Sequence, residues 1–140
     1  MKIISVESLP ITVPLVKPIV MSHITVHQSD NVLVKVTTDE GVVGWGEGVE
    51  ATDLTGETQS SIRAAIDFLG AQIIGEDPMR RSSLWAKMNT MMYANETAVG
   101  AIDIALHDIA GKVLGVPIAE LLGGIARRSV PALTMIGSGV

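Results

Sequence analysis

Near residue 55 the apolar residues change their period, and this switch constrains the fold more than any other feature of the chain. Before it they alternate. Ile4 and Val6 share one parity, Leu9, Ile11 and Val13 the other, and Val32, Val34 and Val36 repeat the pattern. Alternation is what a half-buried strand requires, because successive side chains point to opposite faces of a sheet. After the switch the spacing is three and four: Ile62, Ala65, Ile66, Leu69 and Ile73 fall on one helical stripe. Strands gathered at the front of a chain with helices behind them specify an α+β fold, an antiparallel sheet covered on one face.

Strands are predicted over residues 2–15, 31–38 and 42–47. The parity of the first slips near Ser8, which predicts a bulge or a change of face there. Pro10 and Pro14 remove backbone donors and so place this strand at an edge or near its end. Asp39-Glu40-Gly41 is a turn signal that joins the second strand to the third. The result is a three-stranded antiparallel meander. Residues 16–29 read as a loop between its first two strands, long for such a connection and rich in apolar residues. Loops of this length in compact domains are commonly lids or binding loops.

The helical half divides at its caps. One helix is predicted over 57–73, started by Thr55 or Asp53, with Gly75 just past its end. Asp77-Pro78 opens a second, running to about Met92, with Leu84, Trp85, Met88 and Met91 or Met92 buried. Asn95-Glu96 opens a third, whose stripe is Ile102, Ala105, Leu106, Ile109 and Val113 and which Gly115 and Pro117 end. Asp108 and Lys112, four apart, read as an exposed pair worth a few tenths of a kcal/mol. Residues 118–122 form a short helical turn closed by Gly123-Gly124. The bundle thus has three to four helices. Residues 128–136 read as one more strand, with no partner in the pattern.

Composition narrows the function. Lys plus Arg number 10 against 15 for Asp plus Glu, a net charge of −5, and no basic run exceeds two residues. Nucleic acid and anionic membrane surfaces are therefore poor partners. With no cysteine there is no disulfide scaffold, thiol nucleophile or Cys-ligated zinc. The N-terminus has no continuous apolar core of a signal peptide, and no 18-residue apolar run exists. A cytoplasmic location is expected.

Four stretches could carry chemistry. Glu47, Glu50, Asp53 and Glu57 are dense enough in carboxylates to consider a divalent cation, but their spacing matches no calcium loop, and a solvated run leading into a helix start is simpler. Asp103 and His107 are four apart on a helix, the spacing of a ligand pair or, more simply, of a structural hydrogen bond. The loop over 16–29, with Lys17, His23, Thr25 and His27, is either a substrate contact or a surface excursion. The run GVVGWGEG, residues 41–48, lacks the GxGxxG order of a phosphate cradle, so its glycines read as a device for close packing or bending.

Two segments together resemble a known family. The run GVVGWGEG is one. The more specific is AVGAIDIALHDIAGKVLGVPIAELLGG, residues 98–124. Its Ala101, Asp103, Ala105, Asp108, Gly111, Lys112, Pro117, Leu121 and Gly123 resemble the N-terminal signature of the mandelate racemase and muconate lactonizing branch of the enolase superfamily. The resemblance implies a capping domain over residues 1–125, followed by the start of a (β/α)-barrel in 126–140, truncated here. Residues 128–136 then become the first barrel strand. It implies Mg²⁺-dependent abstraction of a proton α to a carboxylate, the cation meeting the second negative charge that forms. The family's metal ligands and bases sit on later barrel strands, so no metal or catalytic residue is assigned to this chain.

The resemblance does implicate two loops that close over the barrel mouth. They correspond to Met21, His23, Ile24 and Val26 in the first loop, and to Glu50, Thr52, Asp53 and Leu54 in the second. Asp103, His107 and Asp108 belong to the signature helix and are structural. The implied partners are a small carboxylate substrate, the chain's own barrel and other copies of itself in a homo-oligomer. Cycloisomerase or racemase chemistry is favoured over acid-sugar dehydration, and the chain alone is expected to be inactive. A free-standing, non-catalytic binding or assembly module of the same fold is the alternative.

Overall fold

The computed structural model describes residues 1–21 and 23–133. Three strands, β1 (Ile3–Val20), β2 (Thr25–Thr38) and β3 (Val43–Val49), form one antiparallel sheet in the order β1-β2-β3. Four helices follow: α1 (Gln59–Ile73), α2 (Arg81–Met91), α3 (Glu96–Leu114) and the single turn α4 (Ile118–Leu121). The meander and the helical bundle are the predicted architecture. Val32, Val34 and Val36 are fully buried between the sheet and the stripes of α1 and α3. Among the described residues, no helix is long and apolar enough to cross a membrane.

Register corrects two expectations. The irregularity in β1 falls between Ile3 and Ser5, not near Ser8. The extra residue, Ile4, turns outward and leaves Ile3 and Val6, three apart, both facing the core. Leu9 and Val13 lie on the outer face, so their parity did not mark a change of buried side. Pro10 does sit on an edge strand, opposite Val32. The second correction concerns residues 16–29. Pairing resumes at Ile19↔Val26 and Val20↔Thr25 beyond an irregular stretch at Lys17-Pro18. The expected long loop is therefore a long hairpin whose pairing runs out to Val20↔Thr25. β-Branched Ile19, Val20, Thr25 and Val26 favour that outcome.

The helices hold their predicted spans with local changes. Thr58 caps α1, rather than Thr55 or Asp53. Its Oγ1 accepts from the Ser61 N–H at 3.1 Å, and Ser61 Oγ accepts from the Thr58 N–H at 2.9 Å. On α2 only Leu84 and Met88 are buried; Trp85 and Met91 are exposed, because the helix touches α1 and α3 along a narrow line. Val113 is exposed near the end of α3, where Gly115 adopts a left-handed φ of 67° and stops the helix. Residues 128–133 have no strand partner among the described residues, and Val130 and Leu133 are exposed. Residues 134–136 of the predicted strand lie outside the described residues.

The contact between α3 and β3 is main chain on main chain. Gly44, Gly46 and Gly48 occupy the inward positions of β3. A Cβ at Gly46 would stand 1.9 Å from the Ala101 carbonyl oxygen, one at Gly44 2.1 Å from that of Ala105, and one at Gly48 3.0 Å from Thr97 Cγ2. Two strand residues advance about 6.8 Å and four helix residues about 6 Å, so the two ladders stay in step for three contacts. The glycine run is thus a packing device, as its sequence predicts.

The edge of β3 is closed by the same helix. Asp108 Oδ2 accepts from the Trp45 N–H at 2.8 Å, and Lys112 Nζ donates to the Val43 carbonyl at 2.8 Å and to Asp108 Oδ2 at 2.6 Å. The pair read as a helix-surface ion pair therefore satisfies an exposed sheet edge that would otherwise offer itself to another strand.

A Gly46→Ala substitution forces a methyl into a carbonyl oxygen and is expected to cost about 3 kcal/mol or more. Thermal denaturation should register a loss of about 10 °C for a chain of this size. Gly41→Ala, at a turn glycine with φ of 77° and open space around it, should cost only about 1–2 kcal/mol. Equal losses at the two sites would refute the close-packing account.

Candidate functional site

The β1–β2 hairpin extends beyond the helices, and its turn is closed by the Met21 N–H donating to the Ile24 carbonyl at 2.9 Å. On the adjoining side the chain leaves β3 and makes a compact turn before α1. The Glu50 N–H donates to the Asp30 carbonyl at 2.9 Å, and the N–H groups of Leu54 and Thr55 donate to the Ala51 carbonyl at 3.0 and 2.8 Å. Glu50 Oε2 accepts from the Gln59 N–H at 2.7 Å, placing a carboxylate where the dipole of α1 favours it. The Gln59 amide then donates to the carbonyls of Ile11 and Asn31, both at 2.9 Å, and ties α1 to β1 and β2 at once. Asn31 is buried beneath this junction, accepting from Ser29 Oγ at 2.6 Å and donating to Glu47 Oε1 at 2.5 Å.

Between hairpin and turn lies an open cleft of about 530 Å³. Of the residues implicated by resemblance, Ile24, Val26, Glu50, Thr52 and Asp53 line it. Met21, His23 and Leu54 do not. Met21 is occupied in closing the turn, the Leu54 side chain is exposed to solvent, and His23 Nε2 lies 3.8 Å from Asp53 Oδ2. That last approach brings the two loops together across the mouth of the cleft. Sequence reasoning missed Leu15, Ile19, Asp30 and Val49, which also line it. The signal for Ile19 and Asp30 was the β-branched pairs at 19–20 and 25–26, which extend the hairpin and carry both residues to the cleft wall.

The remaining candidates separate. Glu57 Oε2 accepts from Thr97 Oγ1, while Glu47 and Glu50 go to Asn31 and Gln59. Among the described residues no group of three histidine, aspartate or glutamate side chains is arranged to hold a metal ion. The Mg²⁺ implied by the resemblance therefore finds no fitting ligand set here. His107 Nδ1 stands 2.9 Å from the Asp103 carbonyl oxygen and 3.3 Å from its Oδ2, an arrangement internal to α3 and away from the cleft lining.

The titration of Asp30 is clearly perturbed. Hydrogen bonds from the Thr12 hydroxyl, and next from the Gln28 amide, hold its carboxyl below the usual range; desolvation opposes them. A depressed folded-state value means that stability is present above the unfolded value and is lost as pH falls through the folded one. In a Thr12→Val variant the Asp30 midpoint, followed by NMR of its carboxyl carbon, should move up toward the ordinary carboxylate value. The acid loss of stability should begin at correspondingly higher pH. An unmoved midpoint would show that Thr12 is not the controlling donor.

Comparison with known proteins places this geometry. Residues 3–123 match the family described as mandelate racemase / muconate lactonizing enzyme, N-terminal domain. The chain is 38% identical over 142 residues to a chloromuconate cycloisomerase of Cupriavidus necator, covering 99% of this chain and 38% of that protein. It is 36% identical over 132 residues to the N-succinyl-L-Arg/Lys racemase of Bacillus cereus, covering 94% and 36%. Its fold superposes with a TM-score of 0.87 and 28% identity on a dipeptide epimerase of Cytophaga hutchinsonii, a structure that contains Mg and the dipeptide D-Ala-L-Val, covering 91% and 35%. The chain thus spans little more than a third of the length of these relatives. With the family model matched over residues 3–123 and the fold shared with these relatives, the chain belongs to the mandelate racemase / muconate lactonizing enzyme family.

Proposed function

We propose that residues 1–125 are the capping domain of an enzyme that removes a proton α to a carboxylate, and that residues 126–140 begin its barrel. Racemisation, epimerisation or cycloisomerisation is the favoured outcome, in keeping with the activities named for the relatives. The observation that carries the reading is the cleft itself. Two loops at the same end of the sheet are braced by Gln59, Glu50 and Asn31 and meet at His23 and Asp53. In this reading the loops over 21–26 and 50–54 cover the substrate, orient its distal end and exclude water from the reacting carbon. The base and the metal ligands belong to the barrel, so the chain alone is inactive.

Two measurements test this. Incubated with Mg²⁺ and α-substituted carboxylates in D₂O, the chain should give no α-deuteration above a protein-free control. Residues 1–125 grafted in place of the matching region of the Bacillus cereus racemase should restore exchange. Replacing residues 21–26 and 50–54 within the graft should then change the kcat/KM ratio between two substrates by about tenfold, or about 1.4 kcal/mol of discrimination. Exchange by the chain alone, or a substrate ranking indifferent to both loops, would overturn the proposal.

A further inference from the structure

The charge of the cleft is one-sided. Asp30, Glu50 and Asp53 line it, and among the described residues no lysine or arginine does. Nor, among the described residues, does a lysine or arginine pair with these carboxylates from behind. Asp30 accepts from the Thr12 hydroxyl and the Gln28 amide, and Glu50 from the Gln59 main-chain N–H. Asp53 faces the His23 imidazole at 3.8 Å, and His27 lies on the cleft wall; both are histidines, cationic only when protonated. Neutral donors satisfy lone pairs but leave the charge in place. Three like charges around one concavity focus a negative potential into it. The lining also carries the aliphatic side chains of Leu15, Ile19, Ile24, Val26 and Val49.

A lining that combines aliphatic side chains with carboxylates paired to no lysine or arginine among the described residues is complementary to a hydrocarbon stem that ends in a cation. We propose that this cleft receives the distal end of the substrate and that this end is an ammonium or guanidinium on an aliphatic stem. This inference rests on the capping-domain reading above, in which the cleft covers the end of the substrate remote from the reacting carbon. A dicarboxylate placed there would bring a fourth negative charge against three. Asp30 and Asp53 select the cation, while Glu50, braced on α1, holds the turn between them and adds to the field.

The test uses the full chain, ¹⁵N-labelled and titrated by NMR with Nα-acetyl-L-lysine, Nα-acetyl-L-norleucine and Nα-acetyl-L-glutamate. The amides of Ile24, Val26, Glu50 and Asp53 should respond to the lysine compound at a concentration about tenfold lower than to the norleucine compound, and least to the glutamate compound. Asp53→Asn, on the exposed turn, and Asp30→Asn, on β2, should each bring the lysine-to-norleucine ratio toward one. A response to norleucine or glutamate equal to or stronger than that to lysine overturns the cation while leaving the cleft as a substrate site. No response at the cleft amides to any of the three overturns both the cation and the capping role of the cleft. A ratio unchanged in both variants removes the two aspartates from recognition.

Discussion

The approach of α3 to β3 without intervening side chains fixes everything else in this molecule. A helix normally rides on a sheet at a distance set by the side chains between them. Here Gly44, Gly46 and Gly48 remove one layer and the alanines of α3 thin the other, so carbonyl oxygens of the helix come to lie against the strand. No other residue fits at Gly46, and Ala101 and Ala105 are buried against the strand. Once α3 is seated at that depth, Asp108 and Lys112 reach the free edge of β3 and close it. The remaining inner face of the sheet, Val32, Val34 and Val36, is covered by α1 together with α3.

That seating also sets the position of the cleft. α1 starts beside the end of β3, and its first residue, Gln59, bonds two strands with its side chain and Glu50 with its main chain. The turn over 50–57 is therefore pinned to the same framework as the hairpin across from it. The two walls of the cleft are joined by the Glu50 N–H donating to the Asp30 carbonyl. Both rest on a shared junction, in which Asn31 is buried and bonded to Ser29 and Glu47. A buried polar group of this kind adds less to stability than to definition, since it is satisfied in one arrangement only.

Most of the fold was legible because its signals are local. The period-two run at 32–36, the stripe from Ile62 to Ile73 and the glycines of β3 each state their role within a few residues. The failures have a common physical origin. Lys17-Pro18 interrupts pairing without ending the hairpin, because the strands realign beyond it at Ile19↔Val26. The bulge at Ile4 shifts one residue and so exchanges the faces of its neighbours, which no parity count can locate. Trp85 and Val113 obey helical spacing yet stay exposed, since the width of a buried stripe depends on what packs against it. At the site, Ile24, Val26, Glu50, Thr52 and Asp53 came from the position of two loops in a family. Asp30 was hidden, because its place on the wall follows from a hairpin longer than the one expected.

The balance of charge within the domain follows a division that the geometry makes plain. Several carboxylates outside the cleft have a lysine assigned to them: Glu7 has Lys35, Glu76 has Lys87 and Asp108 has Lys112. Beside Lys87, hydrogen bonding and then charge hold the Glu76 carboxyl below its usual range. Asp30 is held below its own by hydroxyl and amide donors alone, on the wall of the cleft. The two routes both favour the ionised form, but they leave different fields behind: a paired carboxylate is nearly invisible at a few ångströms, whereas one held by neutral donors still acts on whatever enters the cleft. Three carboxylates thus meet at the cleft with no lysine or arginine in its described lining, while Lys35, Lys87 and Lys112 are paired elsewhere.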